Sequence, residues 1–173
     1  GNRGYVVTYR QVDPLFTFDL SDPAKPTKVA ELKIPGFSEF MQPIDDNHIL
    51  TIGRDGTDTG RQLGLALKIF DVTDLANPKV SQQFSYSAKD YGQSDAEWDP
   101  KAFTYFGEKK LLAFPYVSYS NTGTQSSLEI FSVDTAAGFT KLGSIDHSPF
   151  YAKSPYGYCG GYFTPQVRRG VFL

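Results

Sequence analysis

Apolar and polar residues alternate along this chain in short runs at 37–44, 48–54, 63–72 and 79–86, and again at 101–106, 109–118, 127–133 and 139–145. A period of two marks strands with one face turned inward, whereas a helix would repeat every 3.6 positions. Turn-forming residues separate the runs. Asp45-Asp46-Asn47 and Gly107-Glu108 predict tight hairpins between the first and second strand of each group, because Asn, Asp and Gly accept the backbone angles such turns require. Very little helix is expected.

One phrase recurs. Phe16-Thr-Phe-Asp-Leu-Ser-Asp-Pro23 is followed by Pro26 and Val29, and Lys68-Ile-Phe-Asp-Val-Thr-Asp74 by Pro78 and Val80. A degenerate third copy reads Leu128-Glu-Ile-Phe-Ser-Val-Asp134, with Ser132 in the aspartate position and no proline turn. Phe18, Phe70 and Phe131 are thereby equivalent, at spacings of 52 and 61 residues. Self-similarity at this period, with four strand-like runs per unit, predicts an all-β fold: a partial β-propeller of about three four-stranded antiparallel blades. A β-sandwich is the alternative, but it does not require the same third-strand phrase in each repeat. The expected boundaries are a partial blade at 1–34, blades at 37–86 and 97–146, and the start of another at 162–173. Open strand edges on such a fragment predict association with further copies, a homo-oligomer built through those edges.

The residues from Asp19 onward and 71–78 resemble the LVIVD-type repeat. Tyr5-Val-Val-Thr-Tyr-Arg-Gln-Val-Asp-Pro-Leu-Phe16, Glu31-Leu-Lys-Ile-Pro-Gly-Phe37 and Ala102-Phe-Thr-Tyr105 look like the secreted bacterial β-propeller domain family, a distant relative of WD40 repeats. The resemblance covers nearly the whole chain and implies a secreted or cell-envelope location. It brings no established biochemical activity with it. Trp98-Asp99 is not the WD40 dipeptide, since it precedes a first strand instead of closing a third.

Composition agrees with strand repeats: aromatics make up 15% of the residues, and 16 glycines and 11 prolines punctuate the runs. A net charge of -2, with neither sign gathered into a run, argues against a nucleic-acid partner. No apolar stretch approaches the roughly 20 residues that span a bilayer, so no transmembrane segment is expected.

Strand connectivity sorts the connections onto two sides. Short, stiff turns at 21–27, 73–78 and 134–138 lie on one side, as structural Asp, Ser and Pro bends. Long connections at 55–62, 87–97, 119–125 and 147–161 share the other. Eight of the 11 tyrosines lie in or beside these, namely Tyr86, Tyr91, Tyr116, Tyr119, Tyr151, Tyr156, Tyr158 and Tyr162. Tyrosine combines rigid contact area with one polar handle, which suits sugars and peptides. The candidate ligand-binding set is therefore Tyr91, Tyr116, Tyr119, Tyr151, Tyr156 and Tyr158 with Arg54, Arg61, Asp90, Asp95 and Glu97. Packing of the same tyrosines onto the blades is the competing reading.

Asp55-Gly-Thr-Asp-Thr-Gly60 is a weak calcium candidate through Asp55 and Asp58; an EF-hand is excluded because its twelfth position is Ala66 instead of a bidentate Glu. No cofactor is otherwise implied. Cys159, the single cysteine, reads as a small residue among glycines or as half of a disulfide with another part of the protein. Two histidines and one cysteine argue against a transition-metal site. His48, just after a hairpin turn, is expected in solvent. The functional expectation is a non-enzymatic binding or scaffolding module that engages a polysaccharide, peptide or protein through the long-loop side, with no catalytic residues assigned. Two alternatives stand beside it. One is a hydrolase using two of Asp55, Asp58, Asp90, Asp95 and Glu97, which needs carboxylates ~5–9.5 Å apart. The other is a purely structural domain docking other parts of its parent protein.

Overall fold

The computed structural model describes residues 1–8, 14–120, 123–153 and 166–172. Eleven strands occupy them: β1 (Arg3–Val7), β2 (Pro14–Asp19), β3 (Thr27–Lys33), β4 (Phe37–Pro43), β5 (His48–Gly56), β6 (Gln62–Asp71), β7 (Lys79–Ser85), β8 (Thr104–Phe106), β9 (Leu111–Ser120), β10 (Gly123–Asp134) and β11 (Gly138–Asp146). They form three sheets with orders β1-β2-β3, β4-β5-β6-β7 and β11-β10-β9-β8. Every described pairing is antiparallel between sequence neighbours. Among the described residues there is no α-helix, and no helix long and apolar enough to cross a membrane.

The repeat is physical as well as textual. The register of β2 on β3 shifts between Thr17 and Phe18, and that of β6 on β7 between Ile69 and Phe70, the same place in both copies. The aspartate that follows each phenylalanine accepts two bonds from the residue two positions on: Asp19 from the Ser21 N–H at 2.8 Å and hydroxyl at 2.6 Å, Asp71 from those of Thr73 at 3.0 and 2.7 Å. Asp22 and Asp74 then cap Ala24 and Ala76 alike. In all three copies the N–H two residues after the phenylalanine donates across the sheet, Leu20 to the Asn2 carbonyl, Val72 to Asn47 and Val133 to Lys110, each at 2.8 Å. The third copy, with Ser132, lacks the aspartate turn; an Asp134–Lys110 ion pair of 2.9 Å braces that end instead.

These turns carry a pH dependence. Bonds from the Thr73 hydroxyl and N–H, with help from Lys79, hold the Asp71 carboxyl at about 2, and similar bonds lower Asp19 and Asp74. A carboxyl depressed in the folded state contributes stability that is full above its unfolded value and is lost as pH falls through the folded one. Melting temperature should therefore drop between about pH 4 and about pH 2. Asp71→Asn should remove about 1 kcal/mol of that dependence after allowance for solvent screening. Acid melting curves of the two proteins check this, and equal slopes would refute it.

The chain separates into two compact units, Gly1–Tyr86 with Thr135–Gly138, and Ser87–Asp134 with Phe139–Leu173. In the first, Leu15, Ile34, Ile49, Phe70 and Val72 form a buried cluster joined by Tyr5, Val7, Leu32, Met41 and Val80, which packs β1-β2-β3 onto one face of β4-β5-β6-β7. The opposite face of β5 and β6 presents Leu50, Ile52, Leu65, Leu67 and Ile69, all fully buried. In the second unit, Phe114 of β9 stacks on Phe131 of β10 with ring centroids 5.7 Å apart. Each such side chain contributes roughly 1.5–3 kcal/mol by leaving water.

Two elements differ from the sequence expectation. The 119–125 connection is mostly strand among its described residues, because β9 and β10 reach Ser120 and Gly123, and the 55–62 connection is shortened to a turn at 57–61, since β5 runs on to Gly56 and β6 starts at Gln62. Residue 101 lies in a 3-10 turn, Pro100–Ala102, which Asp99 and Pro100 initiate before β8 begins. His48 is also less free than expected, since its Nδ1 lies 2.9 Å from both Asp45 carboxylate oxygens.

Candidate functional site

In the second unit, residues 87–103 form a link built from three 3-10 turns, Ala88–Asp90, Asp95–Glu97 and Pro100–Ala102. Each has a side-chain cap, from Ser87, Ser94 and Asp99. Ser94 and Glu97 make a reciprocal capping box: the Ser94 hydroxyl accepts from the Ala96 N–H at 3.1 Å, and the Glu97 carboxylate accepts from the Ser94 N–H at 2.9 Å. The Ser94 hydroxyl also donates to the Pro115 carbonyl at 2.5 Å. Gln93 exchanges two backbone bonds with Val117, of 2.8 and 2.9 Å. The link is thus pinned to β9 at two points.

This rigid base lifts aromatic rings into solvent. Tyr91 is 77% exposed and Trp98 62%, and Tyr119, at 40%, accepts a 3.2 Å bond from the Gln93 side-chain amide. Tyr91 adopts φ 41°, a left-handed conformation that disfavours bulky side chains. Tyr116 is buried, its ring lying so close over Gly92 that a β-carbon there would stand 2.0 Å from the phenol oxygen. Around Trp98 the acids are paired: Arg168 bonds Asp95 at 2.7 Å and Arg169 bonds Asp99 at 2.8 Å. The Lys101 N–H and Arg169 lower the Asp99 carboxyl below its usual range.

Of the expected ligand set, Tyr91, Tyr119, Asp95 and Glu97 come together on this link and β9, with Glu97 buried as a turn cap and Asp95 held in an ion pair. Asp90 is exposed in the first turn. Tyr151 lies in the 3-10 segment Ser148–Lys153. Tyr156, Tyr158, Tyr162 and Cys159 lie outside the described residues.

Arg54, Arg61, Asp55 and Asp58 belong to the first unit. Asp55 sits at a register shift between Arg54 and Gly56, where bulging sets it out of the ladder. Its oxygens accept from the Gly56 N–H and the Ser85 hydroxyl, each at 2.8 Å, so it braces the end of the sheet. Asp58 and Arg61 are exposed in the tight turn where the Thr57 N–H donates to the Arg61 carbonyl at 2.9 Å. Among the described residues no group of three or more His, Cys, Asp or Glu is gathered as a metal ion would need.

Three features escaped the sequence reading. Trp98 carries no signal as part of a Trp-Asp dipeptide, but Ser94-Asp-Ala-Glu97 is a capping-box pattern that signals an ordered turn ending beside it. Lys68 and Glu129, each two residues before a repeat phenylalanine, are 3% and 2% exposed. Lys68 donates to the Pro35 carbonyl at 2.9 Å, and burial lowers its pKa against the opposing pull of Asp55. Glu129 pairs with Lys141 and accepts from the Ser127 hydroxyl at 2.6 Å. Nothing in an alternating strand distinguishes a charge facing a neighbour from one facing water.

A family described as the beta propeller domain matches residues 1–173. The chain belongs to this β-propeller domain family. The sheets are accordingly its blades, and β1-β2-β3 holds the second to fourth strands of one, by the equivalence of Phe18, Phe70 and Phe131. The propeller is 43% identical over 84 residues to an uncharacterised protein of Archaeoglobus fulgidus, a stretch covering 49% of this chain and 13% of that protein. It is 34% identical over 120 residues to an uncharacterised protein of Methanocaldococcus jannaschii, covering 69% and 18%. The chain thus spans under a fifth of the length of the curated relatives it matches. Both are archaeal and uncharacterised, so they lend nothing to the bacterial setting of the resemblance.

Proposed function

We propose that this domain is a binding module of a secreted or cell-envelope protein and that it engages a polysaccharide, peptide or protein through the 87–103 link and β9. The envelope setting rests on family resemblance. The observation that carries the binding surface is the exposure of Tyr91, Trp98 and Tyr119 on a backbone held rigid by caps and ladder bonds. Rings held out of the core on a fixed frame lose little entropy when a ligand covers them.

A thermal-melt screen against oligosaccharides and short peptides tests it. A ligand at about 100 times its dissociation constant stabilises by ~2.7 kcal/mol, which at roughly 2–4 °C per kcal/mol raises the midpoint by several degrees. The shift should disappear in Tyr91→Asn, which keeps a residue tolerant of the left-handed backbone, and shrink in Tyr119→Ala. A shift that survives both substitutions would place binding elsewhere.

A further inference from the structure

We infer that the ligand of this link is a neutral glycan, a refinement that rests on the binding reading above. The first argument is charge. Lys89 and Lys101 stand against Asp90, Asp95, Glu97 and Asp99 in residues 87–103, and Arg168 and Arg169 restore the balance. Asp95 and Asp99 are held by those arginines, and Glu97 is buried in its capping box. The link therefore offers no local excess of either sign to a charged ligand.

The second argument is shape and chemistry. Tyr91 and Trp98 are large aromatic side chains left mostly in solvent. A pyranose packs its C–H face on such a ring, while its hydroxyls need groups that both donate and accept. The Tyr119 hydroxyl, the Gln93 amide and the two guanidinium–carboxylate pairs supply both kinds along the same link. The pairs also fix the side chains of Asp95 and Asp99, so a hydroxyl meets an acceptor already in place. Tyr91 itself sits at the C-cap of the first 3-10 turn, with its side chain in solvent.

Isothermal titration with neutral gluco-, manno-, xylo- and galacto-configured hexaoses, with hexauronates and with end-capped neutral peptides tests the inference. A neutral hexaose should bind with an affinity that raised sodium chloride leaves unchanged. Tyr91→Asn and Trp98→Ala should each weaken it roughly tenfold. Both side chains are exposed, so unchanged melting temperatures of the free variants will confirm that the fold is intact. Binding of uronates alone, or neutral binding indifferent to both substitutions, overturns the glycan class. Silence with every sugar alongside Tyr91- and Trp98-dependent binding of a capped peptide overturns it too but leaves the binding module standing. Failure of every probe to bind through these rings removes both.

Discussion

Phe70→Ala and Phe131→Ala should each cost ~3–5 kcal/mol, whereas the equivalent Phe18→Ala should cost about half as much. Phe70 and Phe131 are fully buried in the middle of four-stranded sheets, so truncation leaves a cavity as well as forfeiting transfer energy. Phe131 would in addition lose its stack on Phe114. Phe18 occupies the same repeat position in a three-stranded sheet and is only half-buried. Calorimetric melting of the three variants reads the difference directly, at roughly 2–4 °C for each kcal/mol. Equal losses at all three sites would mean that Phe18 is covered in solution as fully as its equivalents, by a strand supplied from elsewhere.

The second large effect is expected at Gly36, where β4 is about to begin. Its φ of +77° lies in the left-handed region, and a β-carbon there would stand 2.2 Å from the Arg54 carbonyl oxygen. Gly53 on β5 is equally tight against the Phe37 carbonyl, at 2.2 Å. The two backbones therefore close on one another where Asp55 bulges out. Gly36→Ala adds a left-handed penalty of ~1–2 kcal/mol to the cost of forcing an atom into a filled space, ~1–3 kcal/mol. The midpoint should fall by about 10 °C. A control is Gly143→Ala, since a β-carbon there meets nothing within 4 Å; it should leave the midpoint almost unchanged. Equal behaviour of the two variants would show that the approach of Gly36 to Arg54 relaxes without cost.

Much of the fold was legible because its determinants are local. The alternation that predicted β5, β6, β9 and β10 reflects side chains pointing to opposite faces of a strand, and the structure differs by a few residues at their ends. The repeat phrase encodes the aspartate turns at Asp19 and Asp71 because both partners of each bond lie two residues apart. The degenerate copy was readable only in part: serine at 132 removes the aspartate turn, whereas the ion pair that braces this end joins Asp134 to Lys110, 24 positions away.

The candidate site was legible only in outline. Clustering of tyrosines pointed to the link, yet Tyr91 stands in solvent while Tyr116 is buried with its ring packed against Gly92. Asp95 and Glu97 looked alike as surface acids. Their roles diverge because the partner of Asp95 is Arg168, 73 positions away, whereas Glu97 turns back on Ser94.

By itself, then, the sequence determined the strands, their turns, the repeat and hence the blade, since alternation and turn bonds act over two to four residues. Only the tertiary structure decided which charges are buried, as at Lys68 and Glu129, which acids are neutralised, and which rings remain in water. Those outcomes depend on what packs against a side chain from distant parts of the chain, and burial by such partners outweighs any preference a residue carries alone.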